Sequence, residues 1–275
     1  MILRLLLRTI LGKKRRDFIL LNAKLDFARF MYLILKFFHL NNLLLLRIHV
    51  LKLDYKFWCR INSEDFTYMT VHKDDVVELF CPAEGNIVID VGAHIGLYTI
   101  LGAKYVGSSG KVISIEPHPG NFEILKRNIN LNGLTNAIAI NYAAYSHKTS
   151  AKLYLPQEQS GYTIYTTLMA NRANNYNKFL TVSTITLDDL LKMMSVNGAD
   201  VNWIKIDVEG AELEVLRGAS NILIESKNIF LLIEIHNLDL YKKIVELVFT
   251  YGFKIEFQKW NREIDWGHVL FHKVQ

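Results

Sequence analysis

The stretch "NIVIDVGAHIGLYTILG", from Asn86 to Gly102, decides the fold of this chain. Its first half is a short apolar run that ends at Asp90, which is typical of a buried strand. Two glycines follow, Gly92 and Gly96, and apolar residues then return at the spacing of a helix. Because open α/β sheets bind ligands outside the carboxyl ends of their strands, we expect the turn after Asp90 to hold a ligand.

The spacing of the glycines narrows the choice of ligand. A dinucleotide fingerprint needs glycines at its first, third and sixth positions, but His94 and Leu97 stand where that pattern requires glycine. A diphosphate cradle is therefore disfavoured, and with it a nucleotide-dependent oxidoreductase. Asp90 instead suits a ligand with a cationic amino group, such as the methionine end of S-adenosylmethionine (SAM). The alternative is a plain strand–turn–helix whose glycines hold nothing.

The ends of the next two strands offer further ligand-binding residues. Glu116 ends the second strand, where an acid can accept both hydroxyls of a ribose; its alternative is a solvated loop acid. Ala143 follows the third strand, and its small side chain either borders a flat adenine ring or merely packs. The predicted SAM-binding residues are Asp90, Gly92, His94, Gly96, Glu116 and Ala143.

The fourth and fifth strands end in residues suited to acid–base chemistry. Asp207 ends a buried strand, so its carboxylate must face the cleft or a partner. Glu209 follows it, and His236 ends the next strand, where it is either a general base or a structural hydrogen-bonding residue. No third ligand at convincing spacing accompanies Asp207 and Glu209, so no metal is predicted. The predicted catalytic residues are Asp207, Glu209 and His236.

Strands and helices alternate along the body of the chain, which predicts an α/β fold with a parallel sheet covered on both faces. A final pair of strands without an intervening helix, Phe253–Lys259 and His268–Lys273, predicts antiparallel strands at the end. The other predicted strands are Ile87–Val91, Lys111–Glu116, Ala137–Ala143, Trp203–Val208 and Ile229–His236. The predicted helices are Leu97–Lys104, Phe122–Asn132, Leu187–Met194, Ala211–Leu223 and Leu238–Thr250.

Two further stretches stand outside this alternation. Residues 57–77 alternate polar and apolar residues and are rich in β-branched and aromatic side chains, which predicts a β-hairpin. Residues 156–180 are polar and aromatic and too long for an ordinary connection, which predicts a functional loop or lid over the acceptor.

Composition and charge exclude several classes of protein. A hydrophobic content of 51% with 21% charged residues is typical of a folded globular protein. The net charge of +5 comes from residues 1–60, which hold thirteen Lys and Arg against three Asp and Glu, whereas the remaining residues have an excess of acids. No nucleic-acid partner is therefore expected for the body of the protein. Two cysteines without metal-ligand spacing indicate a reduced, cytoplasmic compartment.

The chain is expected to divide into an apolar, basic, helical segment at 1–56 and a catalytic domain at 57–275. The longest uncharged run of the segment, Phe37 to Leu46, is too short for a membrane span. The basic cluster "KKRR" follows an apolar stretch, the reverse of a signal peptide. Two interpretations stay open: a helical cap or homodimer contact, or an interfacial helix pair that holds the protein peripherally on an anionic membrane.

Five separated motifs resemble those of the FkbM-type SAM-dependent methyltransferases. They are "IDVGAHIGLYT", "SIEPHP", "TLDDLL", "KIDVEGAELEVLRGA" and "IEIH", in this order, within residues 60–260. The resemblance implies the Rossmann-like class I methyltransferase fold, with a seven-stranded, mostly parallel sheet whose last strand is antiparallel. Asn is frequent in this family at the position of His94.

The resemblance also implies an activity and a role for each matched residue. Asp90, Gly92 and Gly96 would line the methionine end of SAM, Glu116 would bind the ribose, and Asp207 with Glu209 would lie at the reaction centre. The implied reaction is O-methylation of a hydroxyl, so the expected partner is a sugar, a lipid-linked sugar or another small acceptor. The alternative function is a non-catalytic SAM-binding or membrane-associated scaffold.

Overall fold

The computed structural model describes residues 43–50, 53–60, 65, 75–156, 166–170, 178–261 and 265–274, and of residues 43–50, 53–55, 59 and 75 it describes the backbone alone. The predictions for residues 1–42 lie outside the described residues. Among the helices of the described ranges, none combines the length and the apolar character that a membrane crossing requires.

A seven-stranded sheet forms the centre of the described chain. With strands numbered along the chain, its order is β5 (Ala137–Ile140), β4 (Lys111–Ile115), β3 (Ile87–Val91), β9 (Val201–Ile206), β10 (Asn228–Ile235), β12 (Trp266–Val274) and β11 (Lys254–Asn261). The five strands from β5 to β10 are parallel, whereas β12 runs antiparallel to both of its neighbours. The predicted sheet and its antiparallel last strand are confirmed.

Hydrophobic clusters cover both faces of this sheet. Val88 and Ile89, adjacent in β3, point to opposite faces and are fully buried in two separate clusters. The cluster around Val88 takes residues from the first three of the seven α-helices described below, and the cluster around Ile89 takes residues from the last four. These helices are α1 (Asp75–Leu79), α2 (Leu97–Val106), α3 (Pro119–Leu131), α4 (Leu187–Met193), α5 (Glu212–Arg217), α6 (Ser220–Glu225) and α7 (Leu238–Thr250), with a 3₁₀ turn at Gly198–Asp200.

The helix predicted over 211–223 is divided into α5 and α6, so that prediction is wrong as a single helix. Asp188, at the start of α4, explains the second helix start. Its carboxylate accepts hydrogen bonds from the backbone N–H groups of Asn221 at 3.0 Å and Ile222 at 3.2 Å. These N–H groups have no partner inside their own helix, and an acid from a distant helix satisfies them.

A smaller sheet lies in the chain between β5 and α4. It consists of β6 (Ala143–Ala144), β8 (Lys178–Ile185) and β7 (Ser150–Leu155), in that order across the sheet. The strand predicted over 137–143 is therefore divided between β5 and β6. The predicted loop 156–180 ends in the first residues of β8, while its residues 157–165 and 171–177 lie outside the described residues.

The prediction of a helical segment up to residue 56 needs a correction, because residues 43–50 and 53–60 form strands. β1 (Leu43–Val50) pairs antiparallel with β2 (Leu53–Arg60). Polar and apolar residues alternate strictly only from Arg47 to Val50 and again from Leu53 to Phe57, and this short period-2 pattern is hidden within a very apolar segment. Of the hairpin predicted at 57–77, residues 57–60 are strand and belong to β2, whereas 75–77 belong to α1; residues 61–64 and 66–74 lie outside the described residues.

β2 crosses the predicted domain boundary at residue 56 and is held on α3 by amide side chains. The Asn128 side chain accepts a hydrogen bond from Trp58 N at 2.7 Å and donates one to Trp58 O at 3.2 Å. Asn132, one helical turn later, makes the same pair of bonds with the backbone of Lys56. The strand is therefore attached to the domain that holds the central sheet by a ladder of side-chain hydrogen bonds.

Candidate active site

The turn after β3 lies directly against the end of β9. Gly92 has a φ of +78°, and a Cβ atom on it would stand 1.8 Å from the carbonyl oxygen of Asp207. The N–H groups of Gly92 and Ala93 both donate to Ile115 O at 3.0 Å. Only glycine fits this approach, so the predicted cradle and the predicted reaction centre form one contiguous site.

Gly96 begins α2 in a left-handed conformation, with a φ of +102°. A Cβ atom there would stand 2.7 Å from a methyl carbon of Leu125 in α3. The second glycine of the motif therefore serves the packing of two helices beside the turn.

Asp90 is buried beneath the turn and is 2% exposed. The Thr99 hydroxyl donates to its Oδ2 at 2.6 Å and lies 2.9 Å from the hydroxyl of Ser114. Burial raises the pKa of Asp90 to about 6, although the Thr99 hydrogen bond and the Lys205 ammonium act in the opposite direction. A cationic group that reached this carboxylate would stabilise its charged form.

Glu116, at the end of β4, is held by hydrogen bonds to both of its carboxylate oxygens. Oε2 accepts from His94 N at 2.9 Å, and Oε1 accepts from His118 N at 2.9 Å and from the Asn121 side chain at 3.2 Å. Burial raises its pKa, against these hydrogen bonds. A carboxylate has about four lone-pair positions, so the fixed group retains capacity to accept a ribose hydroxyl.

Sequence reasoning missed Arg60, at the end of β2, and Asp65, which together support Glu116. The Arg60 guanidinium makes two hydrogen bonds to Asp65 at 2.9 Å and one to the Asn121 side-chain oxygen at 2.7 Å. His94 Nε2 lies 3.3 Å from Asp65 Oδ1. Burial opposes ionisation of Asp65, but the His94 and Arg60 contacts hold its pKa well below its usual range. No motif marks these residues, because they meet only through tertiary structure.

A cleft of about 270 Å³ opens beside the Glu116 turn. Ala143, predicted to border an adenine ring, is instead buried in β6 opposite Thr184 and is absent from the lining of this cleft. Asn141 lines it and donates its side-chain N–H to the Glu116 carbonyl oxygen at 2.8 Å. The lining residues are Pro117, Pro119, Asn141, Leu180, Thr181, Val182 and Ser183.

Asp207 leaves β9 at the centre of the site. Its N–H donates to Val91 O at 3.0 Å, which continues the pairing of β3 with β9. Its Oδ2 lies 3.6 Å from the Nζ atom of Lys205, which is itself 1% exposed. Burial, and then the neighbouring Glu234 carboxylate, raise the pKa of Asp207 well above its ordinary value, against the Lys205 charge.

His236 follows β10, and its ring lies between the carboxylates of Glu209 and Glu212. Its Nδ1 is 2.8 Å from Glu212 Oε1, and its Nε2 is 3.2 Å from Glu209 Oε2. Burial lowers the pKa of His236, but the hydrogen bonds to Glu209 and Glu212 outweigh burial and raise it well above its ordinary value. The two carboxylates therefore favour the protonated form of the ring.

Glu234 closes the site from β10. Trp266 Nε1 donates to Oε1 at 2.6 Å, and His268 Nε2 lies 3.0 Å from Oε2. Burial acts to raise the pKa of Glu234, but the hydrogen bond with His268 and the Lys205 charge lower it. Two residues of the antiparallel strand β12 thus hold this acid in place.

The three predicted catalytic residues are brought together, and His236 supplies the third metal donor that the spacing of Asp207 and Glu209 did not reveal. One donor atom each from Asp207, Glu209 and His236 lie within 4.8 Å of one another. His236 follows a different strand, 27 residues after Glu209, so no local spacing could show it. The arrangement can hold a proton between carboxylates or a metal ion.

Part of the predicted lid also reaches this site. Thr167 pairs with Tyr154 of β7 through two backbone hydrogen bonds, and its hydroxyl donates to Glu209 O at 2.7 Å. The described part of the loop therefore contacts the turn that carries the predicted catalytic acids.

The strand order, the glycine turn and the acids at the strand ends define a class I SAM-dependent methyltransferase fold. A family model for the methyltransferase FkbM domain matches residues 90–255. The chain belongs to the FkbM methyltransferase family.

Two curated relatives and one solved structure resemble the chain. "Methyltransferase 1" of Beauveria bassiana is 24% identical over 167 residues, which is 56% of this chain and 66% of that protein. The hexuronic acid methyltransferase AglP of Haloferax volcanii is 29% identical over 197 residues, 70% of this chain and 74% of the relative. The structure of the Pyrococcus horikoshii protein PH0793 superposes with a TM-score of 0.50 at 15% identity, covering 84% of this chain and 71% of that one.

Proposed function

We propose that the protein transfers a methyl group from SAM to a hydroxyl of a sugar, glycolipid or other small acceptor. The observation that carries this proposal is the contact between the Gly92 turn and Asp207, which joins a ligand cradle to a strand-end carboxylate. In a fold of this class, the two features supply a place for the donor and a proton acceptor beside it.

The residues present fit SAM. Asp90 and Glu116 are acceptors, which suits the ammonium and the ribose hydroxyls of that molecule. The cleft beside Asn141 has room for an aromatic ring next to the ribose position. When bound, SAM supplies an electrophilic methyl group on its sulfonium.

Asp207 is the proposed proton acceptor for the hydroxyl. With SAM bound, the acceptor oxygen would take the methyl group from the sulfonium, and the Asp207 carboxylate would take the hydroxyl proton. The side chain of Asp207 is 20% exposed, whereas that of His236 is 5% exposed and is enclosed by Glu209 and Glu212. Asp207 is therefore the group of the two that an acceptor can reach, and His236 positions the acids around it.

Two observations support this class of acceptor: the similarity of the chain to a relative, and the composition of the loop near the site. AglP is a hexuronic acid methyltransferase and covers most of this chain at 29% identity. The loop that contacts Glu209 is polar and aromatic in sequence, as suits a sugar. A hydroxyl of an acidic or neutral sugar is the first acceptor to test.

Calorimetry with SAM, S-adenosylhomocysteine and NAD tests the cofactor. Saturable binding of the first two, without binding of NAD, is the expected result. Binding of NAD alone would overturn the proposed function.

Transfer of labelled methyl from SAM to fractionated glycan and lipid extracts, and to uronic acid glycosides, tests the reaction. Asp207→Asn should reduce turnover by about 10²–10⁴-fold, the usual contribution of a general base. Asp239→Asn, at an exposed position on α7, is the control and should keep wild-type turnover. SAM binding without transfer to any fraction would favour the scaffold function, and wild-type turnover of Asp207→Asn would exclude Asp207 as the base.

A further inference from the structure

The ends of β9 and β10 bring together donor atoms at distances suited to one metal ion. His236 Nε2 is 3.2 Å from Glu209 Oε2, and a donor atom of Asp207 lies within 4.8 Å of both. Two ligands at right angles around an ion with bonds of about 2.1 Å are about 3.0 Å apart, and opposite ligands are about 4.2 Å apart. The three donors therefore need only small shifts to coordinate one ion.

Glu212 fixes the His236 ring in the orientation that a metal ligand requires. Its Oε1 accepts from Gly210 N at 2.9 Å and lies 2.8 Å from His236 Nδ1. A carboxylate on one ring nitrogen places the hydrogen on that nitrogen and turns the other towards the metal. Here that other nitrogen, Nε2, faces Glu209 Oε2.

A separate observation indicates that the site has room for more positive charge. Glu212 is completely buried, and its Oε2 has no hydrogen-bond partner among the described residues. The same carboxylate faces the His236 ring through its other oxygen. A buried carboxylate oxygen is costly unless a donor or a cation compensates it.

The balance of charge around the site also favours a cation. Four carboxylates meet there, and the ammonium of Lys205 lies 3.6 Å from Asp207. Glu234 is satisfied by Trp266 and His268, so it serves as a neighbour of the cluster and not as a ligand. The carboxylates are Asp207, Glu209, Glu212 and Glu234.

We propose that Asp207, Glu209 and His236 bind a divalent first-row metal ion, with Glu212 as the positioning residue for His236. Carboxylate oxygens with one imidazole nitrogen suit Mn²⁺ or Zn²⁺. A metal lowers the pKa of an oxygen bound to it, so an acceptor hydroxyl on this ion would need only a weak base beside it. The binding of the ion does not depend on which acceptor the enzyme uses.

Titration of the chelator-treated full-length protein with Mn²⁺, followed by the electron paramagnetic resonance signal of the free ion, tests this site. One ion should bind per chain, and Zn²⁺ should displace it. Glu209→Gln and His236→Gln should weaken Mn²⁺ binding at least tenfold, and Glu212→Gln by about 10–100-fold, as expected for a residue that orients a ligand.

Glu214→Gln is the matched control, because Glu214 lies on the same helix as Glu212 and pairs with Arg217. It should bind Mn²⁺ as the wild type does, and circular dichroism should show that all the variants remain folded. Absence of saturable Mn²⁺ binding to the wild type, or equal binding by folded Glu209→Gln and His236→Gln, would overturn the proposal. Since this readout uses no SAM, its failure is distinct from a failure of methyl transfer.

Discussion

Replacing Gly92 with alanine tests whether the cradle and the reaction centre are one rigid unit. The added Cβ would stand 1.8 Å from the carbonyl oxygen of Asp207, and Gly92 has a φ of +78°. Gly252 is a matched control, since its φ is +85° and nothing lies within 4 Å of the same added atom. The pair of variants separates backbone strain, which both have, from the clash, which only Gly92→Ala has.

The expected magnitudes follow from these distances. The left-handed conformation costs about 1–2 kcal/mol for alanine in either variant. Relief of the clash to 3.0 Å needs a shift of at least 1.2 Å, and the contact is with backbone, which cannot rotate away. Such overpacking adds about 1–3 kcal/mol. Gly92→Ala should therefore destabilise the protein by about 2–5 kcal/mol, and Gly252→Ala by about 1–2 kcal/mol.

Urea denaturation and calorimetric binding of S-adenosylhomocysteine measure the two effects. We expect Gly252→Ala to bind as the wild type does, and Gly92→Ala to lose at least tenfold in affinity, because the turn must move away from Asp207. Equal losses of stability in the two variants, with unchanged binding in both, would refute the reasoning that the close approach organises the site.

Three further predictions concern the surroundings of the turn. Since the pKa of Asp90 is raised to about 6, the folded protein binds more protons than the unfolded chain between pH 4 and 6. The free energy of unfolding should therefore fall by about 3 kcal/mol as the pH rises through this window. Urea denaturation of Asp90→Asn should lack that fall. Arg60→Met should weaken S-adenosylhomocysteine binding about tenfold but leave the affinity for its 2′-deoxy analogue nearly unchanged, because Arg60 holds the support of Glu116; equal losses for both ligands would contradict this role. Asn128→Ala removes three hydrogen bonds and should cost about 1.5–4.5 kcal/mol, with loss of hydrogen-exchange protection at the Trp58 amide as the local readout.

The central sheet was predictable because its strands are continuous apolar runs with clear ends. β3 has the predicted bounds, and β4, β9 and β10 differ from theirs by one or two residues. The bounds of α7 are also as predicted, since Asn237 caps its first turn by accepting from Leu240 N at 2.7 Å. Local patterns suffice where an element's limits are set by its own residues.

The elements that sequence reasoning missed depend on partners far away in the chain. α6 begins where it does because of Asp188, which is 32 residues before Ser220. β2 is held by amide groups of α3 about 70 residues later. An apolar segment such as residues 43–60 is ambiguous between helix and strand until its partner is known.

The same division applies to the candidate site. Asp207, Glu209 and His236 were predictable as candidates because each follows a strand at the carboxyl edge of the sheet. Arg60 and Asp65 were missed because they reach Glu116 only through Asn121 and His94. A supporting residue of this kind leaves no pattern in its own neighbourhood, whatever its importance to the site.

The geometry separates the elements proposed to bind the methyl donor from those proposed to bind the acceptor. The cradle and Asp207 are fixed by the pairing of β3 with β9, through the bond from Asp207 N to Val91 O and the Gly92 contact. Among the described residues of the loop, Thr167 reaches these acids through the bond from its hydroxyl to Glu209 O. Under the proposed function, donor binding depends on the core of the fold and on the cleft that β8 lines, while the choice of acceptor is open to change in β7 and the loop. A family built in this way can keep one methyl donor and vary its acceptors.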